Sequence, residues 1–92
     1  MVTVKPHEDP HFKLVRKVIF TYTTQHLSQT DKVRFYYALK GRDGKSGIIK
    51  RLNIEQLGKT VLFVDAKNVE EVHEFLNFWK CDFQQKEVFV HE

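Results

Sequence analysis

The sequence predicts an α+β fold, a two-layer sandwich in which helices cover one face of a three-stranded antiparallel sheet. Three observations lead to this class. Two alternating or apolar runs flank an Asp-Gly pair, which is typical of a β-hairpin. The nearly continuous apolar run at residues 60–64 suits a central strand. An amphipathic segment with helical spacing follows that strand.

One domain is expected from the length and composition. A chain of 92 residues buries roughly 60–65% of the surface that it exposes when unfolded, which is enough for one hydrophobic core. Eight Phe, three Tyr and one Trp, with only four Gly and two Pro, indicate a globular chain. Residues 1–9 lack periodicity, so we expect a flexible N-terminal arm at 1–9 and a single α+β domain at 10–92.

Residues 12–23 are predicted to form the first helix. Asp9 followed by Pro10 is a typical helix start, because Asp can cap free N–H groups and Pro is tolerated at the first helical position. Apolar residues then recur every three to four positions, at Phe12, Val15, Val18 or Ile19, and Tyr22. The segment is also rich in β-branched residues, which leaves a strand as the alternative.

Residues 32–53 are predicted to form the hairpin. Side chains alternate in polarity from Val33 to Leu39, and a second apolar run begins at Ile48. The Asp43-Gly44 pair between them favours a tight turn, because Gly adopts the positive φ that such a turn needs. The alternative is a helix over 31–40 with Thr30 as its cap. Its buried face would be Val33, Tyr36, Tyr37 and Leu39.

The last third of the chain is predicted to hold a strand and a second helix. Leu57-Gly58-Lys59 indicates a turn before the strand, and Asn68 is placed to cap the helix after it. The core stripe of this helix would be Val69, Val72, Phe75 or Leu76, and Trp79. Residues 83–90 either extend the helix or form a last strand. The preferred order is therefore α-β-β-β-α, and the alternative is a ferredoxin-like β-α-β-β-α-β order.

Charge is distributed unevenly along the chain. Residues 10–60 hold eleven lysines and arginines against three acids, whereas residues 61–92 hold three against seven. The net charge of +3 therefore combines a strongly basic segment with an acidic one. Clustered positive charge attracts either a phosphate backbone or an acidic protein surface.

The basic hairpin is the predicted binding site. On the open face of a sheet, its cations would neutralise phosphates and its tyrosine would stack on a base or contact a sugar. The candidate residues are Arg34, Tyr36, Lys40, Arg42, Lys45, Lys50 and Arg51. Two other interpretations remain open: these residues only keep the sheet face hydrated, or they contact an acidic protein.

No pattern in the sequence predicts an enzyme, a cofactor or a metal site. His7-Glu8-Asp9 and His11 hold metal-ligating residue types, but no second cluster completes a set of four. Gly44-Lys45-Ser46 resembles the end of a P-loop, yet Leu39 stands where the upstream glycine is required. The sequence also shows no convergent acid–base or nucleophilic set.

The chain resembles the small Alu-domain proteins of the signal recognition particle. The resemblance covers roughly residues 10–80 and rests on the α-β-β-β-α order, the turn Lys40-Gly41-Arg42-Asp43-Gly44-Lys45, the short apolar strand, and the helix opened by Asn68-Val69 with Val72 and Phe75. It implies an RNA-binding sheet face and a heterodimer with a similarly folded partner.

The expected function is that of a non-enzymatic RNA-binding or ribonucleoprotein-component domain. The alternative is a protein–protein adaptor or small assembly subunit with charge-complementary faces. A homodimer or heterodimer through the sheet is a possible assembly. Cys81 has no second cysteine to pair with, no signal peptide is visible, and no apolar run approaches the ~18 residues of a membrane span. We therefore expect an intracellular, cytoplasmic protein without a membrane segment.

Overall fold

The structure is a computed structural model that describes residues 14–91. Seven main elements follow one another, and a 3₁₀ turn at Ala66–Asn68 leads into the last helix. They are β1 Leu14–Tyr22, α1 Gln29–Lys40, α2 Ile48–Arg51, β2 Glu55–Gly58, β3 Val61–Asp65, α3 Val69–Phe78 and β4 Phe83–His91. The arm expected at residues 1–9 lies outside the described residues.

The strands form one four-stranded antiparallel sheet in the order β2-β3-β1-β4. The α+β class is confirmed, but the three-stranded sheet and the α-β-β-β-α order are wrong. With the short α2 set aside, the order is the β-α-β-β-α-β of the alternative. Of the three strands in the preferred order only β3 is found, because both strands of the predicted hairpin are helical. Residues 14–22, predicted as a helix, are instead a strand that pairs with both β3 and β4.

β1 is a strand because its side chains alternate between two different environments. Val18, Phe20 and Tyr22 are buried under the helices, and Ile19 is half-buried on the opposite face. An interior strand of a sheet is apolar on both faces, so its sequence shows no clean alternation. Apolar residues on both faces of a strand also fit helical spacing, which explains the wrong prediction.

α1 replaces the first strand of the predicted hairpin. The Ser28 hydroxyl accepts a hydrogen bond from the Asp31 N–H at 3.1 Å, so Ser28 and not Thr30 caps the helix. Phe35 and Leu39, four residues apart, are its buried residues. The helical alternative is confirmed, but its predicted buried face is wrong except for Leu39: Val33, Tyr36 and Tyr37 are exposed.

The core lies between the sheet and the helices on one face, here called the helix-covered face. The Phe35 ring from α1 contacts the rings of Phe75 and Trp79 from α3 at centroid distances of 5.4 and 5.6 Å. The most deeply buried large side chains are Phe20, Leu62, Leu76, Val64 and Val72. The predicted strand at 60–64 and the predicted second helix are confirmed by β3 and α3.

Two details of the last third differ from expectation. The predicted turn at Leu57-Gly58-Lys59 begins later, since β2 continues to Gly58. Asn68 makes no capping hydrogen bond; its amide donates instead to the Leu52 carbonyl at 3.2 Å and ties α3 to the end of α2. Residues 83–91 form β4, which confirms the strand alternative for the chain's last segment.

The opposite face of the sheet, here called the open face, carries half-buried apolar side chains. They are Val15, Ile19, Val61, Phe63, Val88 and Val90. Within residues 14–91 no helix packs on this face. None of the helices in that range combines the length and apolar character needed to cross a bilayer.

Candidate nucleic-acid interface

A groove runs between the exposed side of α1 and strand β2. One part of it, of 660 Å³, extends from Tyr22 and Lys32 to Lys59. A second part, of 520 Å³, extends to Arg42 and Lys50. Both parts are lined by Tyr36, Lys40 and Gln56, so the two form one continuous surface.

The groove is positively charged throughout. Among residues 14–91, its lining includes five cations and no carboxylate. The five are Lys32, Lys40, Arg42, Lys50 and Lys59. Across the described range, none of them forms an ion pair with an acidic side chain. Their charge is therefore available to a ligand.

The helical period of α1 aligns the groove's side chains. Lys32, Tyr36 and Lys40 are spaced by four residues and so lie in one stripe along the helix. Tyr36 is 52% exposed, and the Lys40 ammonium lies 5.4 Å from its ring centroid. Tyr37 is 40% exposed, with the Arg42 guanidinium 5.1 Å from its ring centroid. Each accessible ring thus has a cation beside it.

The loop between α1 and α2, residues 41–47, holds Arg42 in this position. Gly41 adopts φ 88°, and its N–H donates to the Tyr37 carbonyl at 2.7 Å. The Asp43 carboxylate accepts the N–H groups of Lys45 and Ser46 at 2.8 and 3.0 Å, and these bonds lower the pKa of Asp43. The carboxylate is therefore directed into the loop's own backbone.

Four of the seven predicted site residues line the groove: Tyr36, Lys40, Arg42 and Lys50. The predicted location on a hairpin and sheet face is wrong, because all seven lie on α1, on α2 or in the loop between them. Alternating polarity around tyrosines is typical of a strand. The same pattern also fits a helix such as α1, which buries only Phe35 and Leu39.

The other three predicted residues lie outside the groove lining. Arg34 lies two positions before Tyr36, roughly 200° around the helix axis, and its guanidinium is 3.8 Å from the Asp31 carboxylate. Arg51 forms an ion pair with Glu71 of α3. Lys45 belongs to the loop beside the groove.

Sequence reasoning missed three exposed basic or aromatic residues of the lining, Lys32, Tyr37 and Lys59. The spacing of Lys32, Tyr36 and Lys40 identifies the first of them as soon as the segment is treated as a helix. Lys59 reaches the groove from the turn between β2 and β3. Its position depends on strand pairing, which no local pattern in the sequence specifies.

Two weakly acidic groups lie below the groove. Burial, with a smaller contribution from Cys81, raises the pKa of Tyr22 to about 12. Burial and the neighbouring Asp82 also raise the pKa of the Cys81 thiol. Both groups therefore keep their protons at neutral pH.

The structure brings together no metal-binding cluster of three or more His, Cys, Asp or Glu side chains in the part of the chain that it describes. The histidine-rich segment His7-Glu8-Asp9 and His11 lies outside that part. Comparison with protein-family models, curated proteins and solved structures found no match to this chain. Arguments about function therefore depend on the groove itself.

Proposed function

We propose that the groove between α1 and β2 binds single-stranded RNA, and that the protein is a non-enzymatic RNA-binding or ribonucleoprotein-component domain. The observation that carries the proposal is the lining of the groove. It combines five cations without acidic partners, no carboxylate, and the exposed ring of Tyr36 beside Tyr37.

The chemistry of this lining matches that of an unpaired strand. Lysine and arginine neutralise phosphates, while an exposed aromatic ring accepts a stacked base whose sequence is unimportant. A paired duplex hides its base faces, so the tyrosines favour a single strand. An intracellular, cytoplasmic location suits this function. The resemblance to Alu-domain proteins stays a prediction, and the proposal does not depend on it.

A charge-reversal pair tests the groove. We expect Lys40→Glu/Lys50→Glu to abolish most of the salt-dependent affinity for a fluorescent single-stranded RNA. The slope of log affinity against log salt should become less steep by about 1.4, since each phosphate contact on a single strand contributes about 0.7. Arg34→Glu/Lys67→Glu is the matched control, because it changes the net charge equally outside the groove. Equal losses in both variants would contradict the proposal.

Stacking is tested separately at Tyr36. Tyr36→Ala should weaken RNA binding by about 1–3 kcal/mol for one stacked base, whereas Tyr36→Phe should retain the affinity because it keeps the ring. The salt slope should be unchanged in both variants. Isothermal titration at two salt concentrations measures affinity and slope together. Equal affinity of Tyr36→Ala and the wild type would exclude stacking on this ring.

An adaptor function is the second candidate, and α3 favours it. Glu70 and Glu74 are exposed on this helix, and Phe78 at its end is 78% exposed. Such a surface fits a basic partner protein with an apolar pocket. Salt separates the two functions, because apolar interfaces survive the screening that weakens phosphate contacts. A partner retained at high salt after nuclease treatment would favour the adaptor.

A further inference from the structure

β4 is a long edge strand whose outer side is unpaired within the described residues. It covers nine residues and pairs along its whole length with β1, from Phe83 opposite Tyr22 to His91 opposite Leu14. No other strand within residues 14–91 adjoins it. Such an edge presents a row of N–H and C=O groups that can pair with another strand.

The end of this strand is also apolar on both faces of the sheet. Phe89 faces the same side as the helices, because its partner Arg16 lies two residues from the buried Val18 on β1, yet Phe89 is 59% exposed. Val88 and Val90 point to the open face and are half-buried. Lys86 is the only basic residue in β4 apart from His91. A long, exposed and apolar edge is a site of strand addition.

We propose that β4 pairs with β4 of a second copy of this chain, antiparallel and centred on Phe89. The two sheets then form one continuous sheet of eight strands around a two-fold axis perpendicular to it. This interface is isologous, so the same segment must be complementary to itself. Residues 88–90 have that property.

The face of the sheet restricts the allowed registers. A two-fold axis perpendicular to the sheet keeps the helices of both copies on the same side. Each residue must then oppose a residue that points to the same face, because directly opposed residues share a face. The pairing must therefore be centred on a β4 residue that lies opposite the same residue of the second copy.

The register centred on Phe89 matches chemical types at its centre. It places Phe89 opposite Phe89, Val88 opposite Val90, and Glu87 opposite His91 of the second copy. Aromatic pairs stabilise antiparallel strands at such positions.

The neighbouring registers create mismatches. A centre at Val88 opposes Glu87 to Phe89, and one at Glu87 or Lys86 opposes like charges. Like charges directly across a strand pair are destabilising. The palindromic order Val88-Phe89-Val90 therefore favours a second copy as the partner and the Phe89-centred register.

The interface leaves the proposed RNA site accessible. In the strand order β2-β3-β1-β4, the groove borders β2 at one edge and the interface uses β4 at the other. The two grooves of a dimer lie at opposite ends of the eight-stranded sheet. The proposal does not depend on RNA binding, and either one can fail without the other.

Sedimentation of the full chain tests the dimer. We expect a mass of twice the 11.0 kDa monomer at micromolar to submillimolar concentration, unchanged by raised salt. Phe89→Glu should raise the dimer dissociation constant at least about tenfold, which corresponds to 1.4 kcal/mol. Phe78→Glu is the matched control, because this phenylalanine is even more exposed but lies on α3. A monomeric wild type, or equal effects of both variants, would overturn the proposal. Circular dichroism establishes that each variant is folded.

Cysteine cross-linking tests the register. Mixing Val88→Cys with Val90→Cys under mild oxidation should give a disulfide-linked heterodimer, since these positions oppose each other in the proposed register. Val88→Cys alone should cross-link at least about tenfold more slowly, because its own copy lies diagonally across the pair. The native Cys81 is buried and does not compete. Fast cross-linking of Val88→Cys alone would overturn the Phe89-centred register.

Discussion

Tyr22 brings a hydroxyl group into the core beneath the groove. Its side chain is buried, and the hydroxyl lies 3.4 Å from the Lys59 carbonyl. The phenol pKa is 10.0 in an ordinary setting and about 12 in the folded protein. Between these pH values the unfolded chain loses the proton while the folded one keeps it, so rising pH favours unfolding.

We therefore expect the wild type to lose stability progressively above pH 10. Tyr22→Phe removes the titrating group, so the difference in unfolding free energy between variant and wild type should shift in favour of Phe from pH 9 to pH 11.5. Urea denaturation at each pH measures the shift. A constant difference across that range would contradict the role assigned to burial.

Leu76 shows how much one core side chain contributes. It is 0% exposed on α3, whereas Leu57 on β2 is 51% exposed. Leu76→Ala should lower the free energy of unfolding by about 2–5 kcal/mol, because it removes buried surface and leaves a cavity. Leu57→Ala should change it by about 0.5 kcal/mol or less. Denaturant melts of the pair test the core, and a small effect at Leu76 would contradict it.

At the scale of elements, the loop at residues 41–47 depends on Gly41 more than on Gly44. Both have positive φ, at 88° and 75°. A Cβ at Gly41 would lie 2.5 Å from the Ser46 nitrogen, whereas a Cβ at Gly44 would meet nothing within 4 Å. The two glycines therefore separate backbone strain from steric overlap.

Gly44→Ala should cost about 1–2 kcal/mol of stability, the cost of positive φ alone. Gly41→Ala should cost about 3 kcal/mol or more, because overpacking is added to that strain. The RNA affinity of the Gly41→Ala variant should also fall, since the loop positions Arg42 over the Tyr37 ring. Thermal melts and RNA titration measure the two effects. Equal costs at both glycines would show that the loop relaxes.

The sequence correctly predicts the elements whose hydrophobic pattern fits only one type of secondary structure. β3 is a short apolar run and α3 has a stripe of helical spacing, so both are found in advance. β1 is apolar on both faces because it lies inside the sheet, and α1 buries only Phe35 and Leu39. For these two segments the deciding factor is tertiary packing, which local patterns do not contain.

The sequence likewise predicts only part of the candidate site. The sequence predicts Tyr36, Lys40, Arg42 and Lys50 although it assigns them to a hairpin, since clustered cations beside an aromatic residue suit phosphates whatever the secondary structure. Which residues share a face depends on whether the segment is a strand or a helix. A helix separates Arg34 from Tyr36, whereas alternation in a strand would place them on the same face.

At the scale of the molecule, the fold neutralises much of the charge asymmetry between the two halves of the sequence. Ion pairs join the basic half to the acidic half at Arg16–Glu87, Lys17–Asp65 and Arg51–Glu71. The cations of the groove lie outside these pairs. The positive surface is therefore more local than the sequence charge indicates, and it is concentrated along α1.

The two proposals together predict binding that depends on RNA length. In the dimer, seven inter-strand spacings of about 4.8 Å place the two β2 edges about 34 Å apart. A long single-stranded RNA can then occupy both grooves, and the second contact becomes intramolecular. A short RNA that fills one groove gains nothing from dimerisation. The long RNA should therefore bind the wild type at least about tenfold more tightly per site.

Phe89→Glu isolates this contribution, because it removes the proposed interface but leaves the groove unchanged. We expect the variant to bind the short RNA as the wild type does and to lose the advantage of the long one. Lys40→Glu/Lys50→Glu should weaken the binding of both RNAs. Fluorescence anisotropy at one salt concentration measures the affinity of the wild type and of each variant for the short and the long RNA. A length advantage that persists in monomeric Phe89→Glu would mean that one groove alone accounts for it, because avidity requires two grooves held in one particle.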